Sequence, residues 1–371
     1  MRAWHEVAPT GQRTVDRPSG TFRRMDDGGP DDGGTDHGGT DHGGTGDGSG
    51  REDRPRIVVT GRIPQAGLDR LADAGDVWTW DEERPIPDEV LHEHVADADA
   101  LVTLLSTRVD DDLLGRAPSL RVVANVAVGF DNIDVDACRR HDVVATNTPG
   151  VLVDATADLA MSLILMSTRR LGEGERLVRS GQEWKWGMFL LLGTGLRGAR
   201  LGIVGMGDIG TAVARRASAF GMEIVYHNRS RVDPAVEAVL GARLVPLDEL
   251  LRTSDVVSLH CPLTPDTHHL IDADALASMK PSAHLVNTAR GPVVDEAALV
   301  DALRRGAIAG AGLDVYEDEP VVHPGLLELD QVTLLPHLGS ATVETRDAMA
   351  ELAASNVGAV LAGRSATTPV T

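Results

Sequence analysis

The chain has 371 residues, 42% of them hydrophobic, and a formal net charge of −21 at pH 7. That length and apolar content allow two cores and a tail, while the negative charge argues against nucleic acid and anionic membrane surfaces as partners. Cys138 and Cys261 match no metal or redox spacing and the N-terminus carries no apolar signal stretch, so the expectation is a cytoplasmic protein with no metal site.

Residues 1–54 read as a disordered low-complexity tail. Gly33-Gly-Thr-Asp-His37 recurs as Gly38-Gly-Thr-Asp-His42, with no apolar content to bury. Order begins near Arg56. Strands are predicted over 56–60, 77–80, 100–105, 120–126 and 143–146. Helices are predicted over 64–74, 88–96 and 135–141, with a short one from Asp110. This alternation predicts a parallel α/β unit, assigned to 55–150 as the first part of a substrate domain. Asn147-Thr-Pro-Gly150 reads as a turn and a hinge. A long helix is predicted over 154–170, its apolar stretch too short to span a bilayer. Segment 181–198 is irregular and rich in Trp184, Trp186, Phe189, Leu190, Leu191 and Leu192. Such an apolar loop needs cover. Packing between the subunits of a homodimer is the favoured reading, with packing inside the chain as the alternative.

The stretch Leu201-Gly-Ile-Val-Gly-Met-Gly-Asp-Ile-Gly210 joins a short apolar strand to a helix through G-x-G-x-x-G. Gly205 permits the tight turn, Gly207 lets backbone approach a pyrophosphate, and Gly210 lets helix pack on strand. The anion then meets the free N–H groups of a helix N-terminus. The αβ rhythm continues with strands over 201–204, 223–227, 256–259, 283–288, 309–314 and 332–335. Helices start near Gly210, Pro234, Leu247, Asp272 and Asp295. The region 151–337 is therefore assigned to a dinucleotide-binding domain of six main strands. A last helix, from Thr342 to about Leu361 within 338–371, returns to the first domain. The expected fold is α/β, two Rossmann-like doubly wound parallel-sheet domains with the substrate domain discontinuous, and a ligand cleft between them.

The end of the second strand of this domain separates NAD from NADP, because an NAD site presents Asp or Glu there to the ribose. This chain reads Tyr226-His-Asn-Arg-Ser-Arg231, without the acid. Arg229, Ser230 and Arg231 offer two cations and a hydroxyl, which suit a 2′-phosphate. The expected cofactor is NADP, with NAD possible. Three further strand ends carry charge: Arg290 in Asn287-Thr-Ala-Arg-Gly291, Glu319 in Asp314-Val-Tyr-Glu-Asp-Glu-Pro320, and His337 in Pro336-His-Leu-Gly-Ser-Ala-Thr342. Singly, Arg290 could bind a cofactor phosphate, Glu319 could belong to an acidic loop, and His337 could be structural. Together at the carboxyl ends of strands they suit the chemistry of a polarised carbonyl.

From Arg56 onward the chain resembles the D-isomer-specific 2-hydroxyacid dehydrogenases, most closely the glyoxylate/hydroxypyruvate reductase branch. Asn125-Val-Ala-Val-Gly-Phe-Asp-Asn-Ile-Asp134 is similar to that family's substrate-loop signature. Thr148-Pro-Gly-Val-Leu-Val-Asp-Ala-Thr-Ala-Asp158 is similar to its interdomain segment, and His260-Cys-Pro-Leu-Thr-Pro265 to a cofactor-lining loop. The resemblance implies reduction of a small 2-oxo acid to the D-2-hydroxy acid. Arg290 would hold the acid and polarise its carbonyl, His337 would be the general acid, and Glu319 would orient His337. The N–H groups of Val128 and Gly129 would grip the carboxylate, and Trp186 or Trp184 would reach the partner's site in a homodimer. Cofactor contacts are implied for Thr156, Gly205, Gly207, Asp208, Ile209, Gly210, Asn228, Arg229, Ser230, Arg231, Cys261, Pro262, Thr288, Ala289, Asp314, His337 and Gly339. Asp208 departs from the pattern, since relatives often carry Arg there. A carboxylate beside a pyrophosphate weakens binding unless it points to solvent. Two other readings stand beside this one: a phosphoglycerate-type or other D-2-hydroxyacid dehydrogenase, and a dinucleotide-sensing, corepressor-like binding protein.

Overall fold

The computed structural model describes residues 54–371; the expected tail, residue 54 apart, lies outside the described residues. The first lobe runs β1 (Arg56–Val59), α1 (Gln65–Ala74), β2 (Asp76–Thr79), α2 (Asp88–Val95), β3 (Ala100–Thr103), α3 (Asp111–Gly115), β4 (Val122–Asn125), α4 (Val135–Arg140) and β5 (Val144–Thr146). Two helices follow, α5 (Val153–Thr168) and α6 (Leu171–Arg179). The second lobe runs β6 (Arg200–Val204), α7 (Asp208–Ala219), β7 (Glu223–His227), α8 (Pro234–Leu240), β8 (Arg243–Leu244), α9 (Leu247–Thr253), β9 (Val256–Leu259) and α10 (Ala273–Ser278). It continues through β10 (His284–Asn287), α11 (Glu296–Arg304), β11 (Gly310–Leu313), α12 (Pro324–Leu327) and β12 (Val332–Leu334), and α13 (Val343–Leu361) closes the element order.

The strands pair in parallel as two sheets, β2-β1-β3-β4-β5 and β12-β11-β10-β9-β6-β7-β8. Central strands such as β3, β4, β9 and β10 are buried along their whole length. Helices on both faces of a parallel sheet demand apolar runs of this kind. Many helix starts are legible as single aspartates. Asp110, Asp134, Asp272 and Asp295 each accept the N–H of the residue three further on, a cap worth about 0.5–2 kcal/mol.

Strand order reverses between β1 and β3 in the first sheet and between β6 and β9 in the second. Loops that leave such a pair diverge and open a crevice at the carboxyl ends. The α13 helix joins the core of the first sheet, where Ala353, Ala354 and Val357 are buried with Ile57, Val59, Leu71 and Val122. Its small residues let it lie close to α1; a Cβ on Gly67 would fall 2.6 Å from the Cβ of Ala350.

Two expectations change. The helix predicted over 154–170 stops at Thr168, and Arg170 takes a left-handed φ of 55° while its guanidinium grips Glu173 at 2.7 and 2.9 Å. The chain then re-enters a helix, α6, that the sequence reading missed because Gly172 and Gly174 lower helix propensity. The second sheet has seven strands rather than six main ones, since the two residues of β8 form an edge strand. Segment 181–198 contains no helix or strand, as read.

Candidate active site

The glycine loop follows β6. Gly205 has φ 93°, and a Cβ there would fall 2.5 Å from the backbone N of Cys261, so both conformation and space require glycine. A Cβ on Gly210 would fall 2.5 Å from the carbonyl oxygen of Gly205, which fixes how closely α7 approaches the turn. Gly207 faces open space, with nothing within 4 Å of its would-be Cβ. This is a cradle that admits a pyrophosphate where a side chain would stand, at the N-terminus of a 12-residue helix. Asp208 is exposed at that first turn, and Ile209 lines the cleft beside it.

At the end of β7, Asn228 is turned inward. Its Oδ1 accepts the Met206 N–H at 2.6 Å and its Nδ2 donates to the Met206 carbonyl at 3.2 Å, which braces the glycine loop. Arg229 and Ser230 are exposed and make no hydrogen bond or ion pair among the described residues. Arg231 is committed: its Nε lies 2.8 and 3.0 Å from the carboxylate of Glu237, which also accepts the Tyr226 hydroxyl. The guanidinium of Arg231, and then the Tyr226 hydroxyl, hold the Glu237 carboxyl below its ordinary value despite burial. The sequence offered two free cations here; the tertiary structure leaves one.

Across the β6/β9 switch point Cys261 is buried, and burial pushes its thiol up to about 11, so it is uncharged. Pro262 continues this loop, and its carbonyl accepts the Thr267 hydroxyl at 2.7 Å. After β10, Asn287 shapes the next turn. Its Oδ1 accepts the Ala289 N–H at 3.0 Å and its Nδ2 donates to the Arg290 carbonyl at 2.8 Å. Arg290 then projects across the cleft. Its Nε donates to Asp131 Oδ1 at 2.8 Å, and one terminal nitrogen donates to the Ala289 carbonyl at 2.8 Å. The other terminal nitrogen is buried without a partner among the described residues.

Glu319 and His337 meet at 2.7 Å, Oε2 to Nδ1. The second carboxylate oxygen accepts the Tyr316 N–H at 3.1 Å. Burial raises the Glu319 carboxyl, but the hydrogen bond and charge of His337, with Tyr316 and Arg290, outweigh it and leave it below its ordinary value. His337 has φ 54°, a strained conformation for a residue with a Cβ, costing about 1–2 kcal/mol. Asp314 holds it there. The Asp314 carbonyl accepts the His337 N–H at 2.9 Å, and its carboxylate accepts Leu338 N–H at 2.7 Å and Gly339 N–H at 2.8 Å. Burial raises the Asp314 carboxyl, and those two N–H groups and His337 oppose the rise.

The opposing wall is the loop after β4. The side chain of Asn125 donates to the Gly129 carbonyl at 2.7 Å, and that of Asn147 donates to the Val128 carbonyl at 2.8 Å. The N–H groups of Val128 and Gly129 find no acceptor among the described residues. A cleft of about 740 Å³ brings together Val128, Gly129, Thr156, Ile209, Thr288, Arg290, Asp314, Glu319, His337 and Gly339. Gly205, Gly207, Gly210, Cys261, Pro262 and Asn228–Arg231 follow β6, β7 and β9, at the carboxyl ends of the same sheet. Trp186 lines no part of this cleft and is 78% exposed. Sequence reading missed the supporting roles of Asp131, Asn125, Asn147, Glu237 and Asn228. The first two stand inside the loop signature; Asn125 holds Gly129 of the same loop, whereas Asp131 meets a partner 159 residues away.

Two parallel-sheet lobes, a glycine cradle at a switch point, and an Arg, Glu and His set at strand ends define a two-domain dinucleotide-binding α/β protein. Residues 161–339 match the family model for the D-isomer specific 2-hydroxyacid dehydrogenase, NAD binding domain. A glyoxylate reductase of Thermococcus onnurineus is 52% identical over 309 residues, covering 82% of this chain and 92% of its own. A glyoxylate reductase of Pyrococcus furiosus is 50% identical over 309 residues, covering 82% of this chain and 91% of its own. Among solved structures, an NADPH-dependent glyoxylate/hydroxypyruvate reductase of Sinorhizobium meliloti in complex with NADP and malonate is 38% identical with a TM-score of 0.76. That match covers 86% of this chain and 97% of the other. The chain belongs to the D-isomer-specific 2-hydroxyacid dehydrogenase family of oxidoreductases.

Proposed function

We propose that the protein reduces glyoxylate and hydroxypyruvate to their D-2-hydroxy acids, with NADPH preferred over NADH. The observation that carries this is the convergence of the Glu319–His337 pair and Arg290, with one donor unused among the described residues, on a cleft that Ile209 of the glycine loop also lines. The relatives named above supply the substrate class. On this reading the first lobe, completed by α13, is the substrate domain, and the second lobe is the dinucleotide domain. Gly205, Gly207 and Gly210 cradle the pyrophosphate, Thr156 touches it, and Arg229 with Ser230 takes the 2′-phosphate. Thr288, Ala289, Asp314 and Gly339 border the nicotinamide, which when bound supplies the hydride.

The Val128 and Gly129 N–H groups hold the substrate carboxylate. The partnerless nitrogen of Arg290 donates to the carbonyl oxygen, where negative charge grows during reduction. His337 gives that oxygen a proton from Nε2, since Nδ1 is committed to Glu319, whose carboxylate stabilises the imidazolium. Trp186 of a second copy closes the site in a homodimer. Both cysteines are unbridged and buried, which agrees with a reducing cytoplasm. The test is steady-state oxidation of NADPH and NADH against a panel of 2-oxo acids. Turnover of glyoxylate or hydroxypyruvate supports the reading. Tight nucleotide binding with no turnover of any 2-oxo acid refutes it and favours a sensor.

A further inference from the structure

We propose that Asp131 is a positioning residue that fixes the plane of the Arg290 guanidinium, so that one nitrogen alone is offered to the substrate. The inference rests on the reading that Arg290 binds the 2-oxo acid. Asp131 stands in the first lobe and Arg290 in the second, 159 residues apart, and their contact at 2.8 Å spans the cleft at its reacting end. Three observations give it this role.

The carboxylate has a rigid base. Asn125 donates to the Gly129 carbonyl at 2.7 Å and lies 3.2 Å from the side-chain oxygen of Asn132. Asn132 in turn donates to the Thr107 carbonyl at 2.9 Å, and Asn147 to the Val128 carbonyl at 2.8 Å. The loop carrying Asp131 is therefore tied at several points to neighbouring strand ends. The guanidinium also has a fitted seat. A Cβ on Gly129 would fall 1.6 Å from the terminal nitrogen of Arg290, so that nitrogen occupies the space a side chain would fill. Finally, the donors are accounted for. Asp131 takes Nε, the Ala289 carbonyl takes one terminal nitrogen, and the remaining one, seated against Gly129, is buried with no partner among the described residues.

A planar fork held on two edges cannot turn to satisfy its third. Leaving a buried donor open is unfavourable; this one lies against Gly129, and both residues line the cleft, where a carbonyl oxygen would complete it. The Arg290 side chain is 18% exposed and that of Asp131 36%, so the guanidinium is largely shielded while the carboxylate meets water. Asp131 takes Nε–H on the same edge as the open nitrogen, yet makes no hydrogen bond to that nitrogen.

The test is a double-mutant cycle on the full chain with NADPH and glyoxylate, using D131A, R290K and both together. R290K keeps a charge but has no plane to orient, and is expected to retain measurable turnover. D131A is expected to lower kcat/KM by about 10- to 100-fold, with kcat and KM both affected and the NADPH Kd unchanged. D131N keeps an oxygen for Nε and is expected to recover most of that loss. In the R290K background D131A is expected to cost no more than about threefold. Equal losses in both backgrounds, a failure of D131N to rescue, or a rise in kcat/KM on removing Asp131 would each overturn the inference. Should D131A not fold, D131S carries the same cycle. If R290K keeps the wild-type kcat/KM, the reading of Arg290 itself has failed; if R290K loses activity and D131A does not, only the role of Asp131 has.

Discussion

The carboxylate of Glu319 lies 2.7 Å from Nδ1 of His337, and the backbone of His337 is held at φ 54° by Asp314 rather than by Glu319. Orientation of the ring and orientation of the chain thus come from two different acids. His337→Gln is expected to lower kcat by about 10²–10⁴-fold, the usual worth of a general acid, with little change in nucleotide binding. Stopped-flow reduction of glyoxylate checks this, and a loss below tenfold would remove His337 from the reaction.

The lowered Glu319 carboxyl sets a pH dependence of stability. A carboxyl whose folded value lies below its ordinary 4.5 stabilises the fold above that value and loses the contribution as pH falls through the folded one. Thermal midpoints of the wild type are expected to fall more steeply than those of Glu319→Gln between about pH 5 and pH 3. Calorimetry across that window decides it, and parallel curves would mean that the pair adds no acid-sensitive stability.

Arg229 is the one cation of the 229–231 segment without an acid partner among the described residues, because Glu237 holds Arg231. A charge-assisted contact to a 2′-phosphate is worth roughly 1.5–3 kcal/mol, so NADPH should be favoured by about tenfold or more. Arg229→Asp is expected to reverse that preference, while Arg231→Ala should also loosen α8 by freeing a buried Glu237. Equal kcat/KM for the two cofactors in the wild type would refute the first expectation.

Trp186, Met188 and Phe189 are 78%, 72% and 88% exposed in a segment with no helix or strand. An apolar stretch of this kind belongs in an interface. Light scattering is expected to give a dimer at micromolar concentration. Trp186→Ala should raise the KM for the 2-oxo acid if the loop reaches the partner's cleft. A monomer that retains full activity would count against both.

Much of this protein is local in origin. Periodicity, aspartate caps and the glycine spacing announce two parallel sheets, the turn after β6, and strand ends bearing Arg290, Glu319 and His337, because each depends on residues a few positions apart. Contacts made only when the chain folds back on itself have no such signature. That Arg231 is paired while Arg229 has no acid partner among the described residues depends on Glu237, six residues on, folding back to Tyr226. That Asp314 holds His337, and that Asp131 seats Arg290 against Gly129 from 159 residues away, depends on loops of separate sheets converging on one cleft. Sequence determined which side chains are present at strand ends. The tertiary structure alone decided which hydrogen bonds they use up and which donor is left open, because a buried polar group takes whatever partner packing brings within 3 Å or so.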